Sequence, residues 1–434
     1  MSKFISFIIV FAFIVGCSFN KNSKFWTNSQ NLKDENKDGY EEILKLKETL
    51  KNEYNPNLKI KINVKPKNSY SIYNYQNNSG RINFDGNLKK SSRYKFSKIK
   101  NFYQYQPEIS FFQDNIIFFE SKGSILRFNN KSKLVWKKNY YQKNQIKQNP
   151  ILFFANHKKN LVVADTMGNI FKLNMQDGNL IWDKKNTVSF YSQIKIFNNK
   201  IYLADYENTL HCFSLQNGNL IWKIETEKSF IRSQKKTSIV ISDDVVFYSN
   251  SIGDVTAVNI NTGDLVWQTS TQPNTIYQES YSYKASDLVI SKNSIIFSNN
   301  KNEFFLLDKN SGMIQWKQKV NSYVRPTVID NLIFTVSLEG YLVILEKKSG
   351  KIIRATDIFD VFKTKKRKKI SPVGFIVAKN NIYLSTSNGR LLLIDYITGR
   401  TKAAYKIDNG KISNPIILGK SFYLAKESSI IRLN

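Results

Sequence analysis

One repeated pattern, anchored on tryptophan, constrains this chain more than any other feature. ADTMGNIFKLNMQDGNLIW (Ala164–Trp182), ADYENTLHCFSLQNGNLIW (Ala204–Trp222), SNSIGDVTAVNINTGDLVW (Ser249–Trp267) and SNNKNEFFLLDKNSGMIQW (Ser298–Trp316) are four copies of equal length. An earlier copy, ending at Trp136, is one residue shorter, and two later ones, with anchors at Arg354 and Ala403, have lost the Trp. Anchors 38 to 49 residues apart mean a propeller or a solenoid. Within the second copy, Ile151–Phe154, Leu161–Ala164, Ile170–Leu173 and Leu180–Trp182 are short apolar or alternating runs. Gly168 and Asp177-Gly178 stand where hairpins must turn. Four short antiparallel strands with no helical period make a propeller blade. The expected fold is therefore all-β. Trp136, Trp182, Trp222, Trp267 and Trp316 read as structural, each filling the wedge between neighbouring blades.

After the seventh anchor, Pro415–Leu418, Phe422–Ala425 and Ile430–Leu433 supply three more strands before the chain stops. A three-stranded last blade would leave a sheet edge open. The natural donor of the fourth strand is Tyr94–Ile99, just ahead of the first blade. The expectation is an eight-bladed β-propeller over residues 91–434, its last blade closed by that N-terminal strand. Seven blades is the alternative.

Upstream, Lys3 precedes an apolar run, Phe4–Val15, that is too short to span a bilayer and fits the core of a signal peptide. Ile14-Val15-Gly16-Cys17 resembles the lipobox of bacterial lipoproteins. That resemblance implies a signal peptide over 1–16 and acylation of Cys17, the plainer alternative being a secretory signal with an incidental Cys. Acyl chains anchor a protein without any transmembrane helix. Ser18, rather than Asp, implies export to the outer membrane by resemblance to Gram-negative lipoproteins. Residues 17–90 are rich in Asn, Lys and Ser and read as a largely flexible polar tether. Tyr40–Glu53 carries apolar residues at helical spacing, and Leu58–Val64 alternates at strand period. Either piece docks on the body or folds with a partner.

Composition closes several routes to function. Hydrophobic residues at 41% exclude global disorder. The net charge of +31 raises nucleic acid or an anionic membrane as a partner. Only ten of the 65 basic residues are Arg, however, and the Lys is spread throughout, so no nucleic acid is expected. Two Cys and two His exclude a disulfide-stapled fold and a multi-histidine metal centre. His157 lies in a polar hairpin and His211 in mid-strand, where blade packing explains it. Asp165, Asp205, Asp243 and Asp244 sit near strand ends and read as acceptors for turn amides rather than catalytic pairs. The basic run Lys363–Lys369 reads as a solvated loop, with lipid phosphates or an acidic partner as the sharper reading.

The blade signature looks like the quinoprotein-type propeller repeat. Together with the lipobox, the tether and eight blades, it resembles the BamB family, propeller lipoproteins of the outer-membrane β-barrel assembly machinery. Asn101-Phe102-Tyr103, Pro107 and Asp114-Asn115 follow that family's passage into blade 1. Leu58–Val64, Tyr75–Asn78 and Asp85–Asn87 resemble the N-terminal extension of alphaproteobacterial members. The resemblance implies a non-enzymatic scaffold without a cofactor, lipid-anchored in the outer membrane and facing the periplasm. Its implied partners are the periplasmic domains of the barrel subunit and nascent outer-membrane β-strands, the latter through β-augmentation. A family contact loop between blades three and four carries apolar residues before an Arg. Here it reads Ser229-Phe230-Ile231-Arg232, making Phe230, Ile231 and Arg232 the partner-binding candidates. The blander reading is that Phe230 and Ile231 begin the next inner strand. A second family contact, a pair of Asp in the following inter-blade loop, is unmatched: Tyr281–Ser286 has no acid, and the nearest are Glu279 and Asp287.

Quinone-dependent dehydrogenases share the propeller and are the rival reading. By resemblance they need a calcium held by Glu, Asn and Asp, a Trp floor and an adjacent Cys pair. Cys212 has no neighbouring Cys, and the Trps of the body all stand in the repeat position. A lipid-anchored propeller for peptidoglycan, a polysaccharide or a small quinone is the remaining class.

Overall fold

The computed structural model describes residues 50–68, 75–105, 107–228, 235–271 and 283–434. The expected signal peptide over 1–16, Cys17, the first ten residues of Tyr40–Glu53, and Phe230, Ile231 and Arg232 lie outside them. Eight sheets, each built on four antiparallel strands, form an eight-bladed β-propeller. Blade 2 shows the plan. Leu152–His157 is innermost, followed outward by Asn160–Asp165, Asn169–Asn174 and Leu180–Lys185. The second and third strands are buried almost throughout, because both of their faces meet neighbouring blades. The outermost strand is largely exposed.

Every outer strand carries the same irregularity. In blade 3, Leu220 pairs with Phe213 and Trp222 with Cys212, so Ile221 is bulged out. The same two-against-one register precedes the anchor position in the other blades, including Arg354 in blade 6 and Ala403 in blade 7. A bulge bends and twists the strand locally. Here it turns the anchor side chain into the seam between blades.

Eight blades and N-terminal closure are both met, with one correction. The closing strand is Lys90–Lys95, four residues ahead of the expected Tyr94–Ile99. Its ladder ends where Lys95 faces Ser429, because Ser429 is the first residue of the partner strand and the partner chain has turned beyond it. Tyr94 is wholly buried and meets Phe128 of blade 1 at 5.8 Å, so the strand also seals the last seam.

The described part of the Asn- and Lys-rich upstream stretch lies on the body. Residues 50–53 are not helical, and Leu58–Val64 joins no strand ladder. Ile60 is nevertheless buried and donates its amide to Ile397 O at 3.0 Å. Further on, Tyr75 O and Gln76 O accept the amides of Ile241 and Ile290 in the inner strands of blades 4 and 5, at 3.0 and 2.9 Å. Asn78 Oδ1 accepts from Val328 N in blade 6 at 3.2 Å, and Arg81–Ile82 adds a parallel fifth strand inside blade 7. Phe84 then packs between Tyr383 of blade 7 and Phe422 of blade 8. This strap runs around the inner wall of the ring before the chain crosses to the outer edge of blade 8.

Candidate functional site

The seams come first, because they hold the anchors. Each Trp indole N–H donates to a backbone carbonyl of the next blade: Trp136 to Met175 O, Trp182 to Leu215 O, Trp222 to Ile260 O, Trp267 to Lys309 O and Trp316 to Lys347 O, at 2.9–3.2 Å. The ring lies flat over the next blade's outer turn. At Gly263 the backbone is left-handed (φ +81°), and an added methyl would stand 2.8 Å from Trp222. Only glycine gives both the conformation and the clearance. These five side chains are packing groups that satisfy their one polar atom.

Blade 6 has Arg354 in that place. The guanidinium donates to Tyr396 O at 3.0 Å, taking the hydrogen bond that the Trp makes elsewhere. A methyl at Gly399 would stand 2.8 Å from Arg354 Nη2, so the turn glycine keeps its purpose. Arg354 does more than a Trp: its second nitrogen donates to Ile397 O and, at 2.8 Å, to Leu58 O of the strap. Burial pulls this Arg down to about 10, and the three carbonyls stabilise the charge that burial penalises.

The acids at strand ends hold turns. Asp165 Oδ1 accepts the amides of Met167 and Asn169, both at 2.8 Å, and Asp205 Oδ1 accepts those of Glu207 and Thr209. Asp205 Oδ2 lies 2.8 Å from His211 Nε2 within blade 3. Asp243 pairs with Lys309 on the blade-4 turn, and Asp244 is in the same turn at φ +58°. Burial pushes the Cys212 thiol up to about 12, so it is a packing group and a poor nucleophile. Among the described residues, no three of His, Cys, Asp and Glu come together as a metal site.

Chemistry gathers instead in the central channel, which sequence reasoning missed. A cavity of about 100 Å³ is walled by Ile109, Phe154, Ile194 and Ile196, with Glu108, Lys195, Asp287 and Arg325 projecting among them. Tyr75 and Asn77 of the strap line it as well. Asn77 is buried in a left-handed conformation (φ +60°), which Asn tolerates better than most residues. Its amide donates to Gln193 Oε1 and Leu288 O, both at 3.0 Å, and its oxygen accepts from Lys195 Nζ. Two of its carboxylates are paired: Lys236 with Glu108 at 2.8 Å and Lys235 with Asp287 at 3.0 Å.

The electrostatics of this channel follow from burial and neighbours. Burial works to raise Asp287, but Lys235, Arg325 and Lys236 outweigh it and hold the carboxyl well below its ordinary range. Glu108 is lowered by the same balance of burial against Lys236. Burial pushes Lys195 down to about 8, although Glu108 opposes it. Lys411 also falls to about 8, through burial and then the repulsion of Lys284 and Lys235. One sequence signal points to this cluster. Glu108, Lys236, Asp287 and Arg325 each stand two or three residues before an inner strand, the register that faces the axis. Asp287, the nearest described acid to the second family contact, is thus taken up inside the ring.

The basic run forms a short helix, Thr364–Arg367, against blades 6 and 7. Arg367 pairs with Asp357 at 2.5 Å and donates to Glu339 O, while Lys363, Lys366 and Lys369 line a shallow surface basin with Arg390.

Residues 121–356 match the family model described as outer membrane protein assembly factor BamB, more than half of the chain. The chain belongs to the BamB family. BamB from Moraxella catarrhalis superposes with a TM-score of 0.65 at 12% identity, covering 80% of this chain and 100% of that one. A europium-containing methanol dehydrogenase superposes at 0.63 and 11% identity, over 83% of this chain and 90% of that one. The quinohemoprotein alcohol dehydrogenase of Comamonas testosteroni gives 0.58 and 9%, over 84% and 80%. At such identities these likenesses establish the propeller fold, which BamB and the dehydrogenases have in common. No curated protein sequence matches the chain.

Proposed function

We propose that this chain is a non-enzymatic scaffold of the outer-membrane β-barrel assembly machinery, binding the periplasmic domains of the barrel subunit and aiding insertion of outer-membrane proteins. The match of residues 121–356 to the BamB family carries this reading. The partner surface is the loop Phe230, Ile231 and Arg232, where an Arg beside apolar anchors has the composition of an interface hot spot. Acylated Cys17 holds the protein to the periplasmic side of the outer membrane. The outer strands support a further contact with nascent strands: Leu180-Ile181, Leu220-Ile221 and Leu265-Val266 are exposed apolar pairs on sheet edges, which an added strand can extend.

The test is a photo-crosslink from position 232 in membranes of the native host, with mass spectrometry of what is captured. The expected product is an adduct with the barrel subunit, absent when the probe is moved to Lys159 on the opposite face. A membrane-bound protein that captures nothing at 232, or an unrelated envelope protein, removes the assignment.

A further inference from the structure

We infer that the basin beside the basic helix Thr364–Arg367 binds the phosphate group of a phosphate ester. Lys363, Lys366, Lys369 and Arg390 line it together with Asn388 and Asn409, and no carboxylate is among the lining residues. The acids nearby are committed elsewhere: Asp357 to Arg367 and, at 3.0 Å, Asp408 to Lys426. Asp360, in the same connection as the helix, is not part of the lining. Three segments bring these groups together: the connection between blades 6 and 7, a turn within blade 7, and the connection on to blade 8.

A run of lysines is ordinarily a solvated loop, and two observations set this one apart. The first is that the run is held in place. Ile358 and Phe359 are buried before it and Ile370 after it, the amides of Lys366 and Arg367 both donate to Lys363 O, and Arg367 is clamped to Asp357. Lys363, Lys366 and Lys369 stand three residues apart and all face the basin, where like charges at that spacing repel. The second is Arg390. Its Nη1 is closed off from water and has no hydrogen-bond acceptor, although buried donors are nearly always paired. An oxyanion supplies that acceptor, and a planar guanidinium grips a phosphate by two parallel hydrogen bonds. The basin measures about 460 Å³, against the roughly 10–15 Å³ that one water needs by the same measure, and Val361, Phe362 and Ile370 form its apolar part. The phosphate is therefore the charged end of a larger molecule, either a soluble ester or a lipid headgroup. This inference does not depend on the scaffold reading, and neither fails with the other.

Two probes test it on the purified chain at pH 7.5 and constant ionic strength: glycerol phosphate by titration calorimetry, and phosphatidylglycerol in phosphatidylcholine vesicles by co-sedimentation. Saturable binding of glycerol phosphate identifies a soluble ester, and binding of the vesicles alone identifies a headgroup. Whichever probe binds, Arg390→Lys weakens it at least fivefold. That variant keeps the net charge and removes only the planar fork, so attraction to the basic chain as a whole would leave it unchanged. Lys366→Gln, on the exposed side of the helix, weakens binding to a similar extent without touching the folded core. Lys348→Gln, on an exposed turn of blade 6, removes the same charge outside the basin and changes binding less than twofold. The site is overturned if neither probe binds, if Arg390→Lys binds like the natural chain, or if Lys348→Gln loses as much as Lys366→Gln. An oligoglutamate peptide that binds in an Arg390-dependent way, where both phosphate probes fail, makes the basin a contact for an acidic protein segment and ends the phosphate reading.

Discussion

The seams of blades 1 to 5 and the seam between blades 6 and 7 solve one packing problem with different materials. In the first group a Trp from one blade covers the turn of the next and donates its single N–H to a carbonyl there, so each seam is complete within two adjacent repeats. At Arg354 the seam is completed only when Leu58, nearly three hundred residues away, adds its carbonyl. A neutral ring makes a local joint. A buried charge with more donors than the next blade can satisfy makes a joint that recruits a distant segment. The loss of the Trp from the later repeats is thus a change of material, and the ring depends on its N-terminal strap where that change occurs.

Removing the distant segment has the largest expected effect. A variant starting at residue 97 lacks both the strap and the closing strand, and exposes the edge of Ser429–Leu433. It should show no cooperative thermal transition, whereas one starting at residue 90 keeps the strand and should melt cooperatively at a lower temperature. A cooperative transition in the shorter variant, within a few degrees of the full chain, would show the closing strand to be dispensable. Next comes Arg354→Ala, which strands three carbonyl acceptors and leaves a cavity, at about 3–5 kcal/mol. Limited proteolysis should then cut within residues 50–68. Arg354→Trp sharpens the contrast: the seam is refilled and most stability returns, yet the strap stays open to protease because no donor reaches Leu58.

Trp222→Ala should cost about 3 kcal/mol by chemical denaturation, since the ring is half-buried and loses one hydrogen bond. The strap should remain protected from protease, because that seam does not involve it. Protease sensitivity equal to that of Arg354→Ala would erase the distinction between local and recruited joints. The smallest effect is one of pH. Lys195 releases its proton near pH 8 when folded, and near 10.4 as an ordinary lysine in the unfolded chain. Between those values the unfolded chain binds the extra proton, so stability rises with pH, by about 1–2 kcal/mol for this group. Denaturation midpoints from pH 8 to 10 should climb in the natural chain and stay flatter in Lys195→Gln.

What was legible in the sequence divides along the same line. The blades repeat because Asp165 and Asp205 hold identical turns and five Trps meet identical carbonyls, and repetition makes local rules visible in one chain. The strap repeats nothing. Ile60, Asn77, Ile82 and Phe84 are buried one by one among Asn, Lys and Ser, so their composition reads as solvated tether although each is fixed by a partner in the ring. The closing strand was displaced by four residues because alternation marks where a strand can run, while the ladder stops where its partner begins at Ser429. The channel cluster was hidden for a third reason. Its members are charges on six blades, and they become one cluster only when the ring brings their inner strands together.

The route of the strap also orders events in time. Lys95 is made 334 positions ahead of its partner Ser429. At about 5–20 residues per second, synthesis alone separates the two by roughly 20–70 s. For that interval the closing strand has no edge to join, and Leu58 waits for Arg354 until the chain has reached blade 6. The closing strand, made before any blade, is therefore fastened after them, and any factor that keeps extended chains from sticking acts on it before it acts on a finished ring.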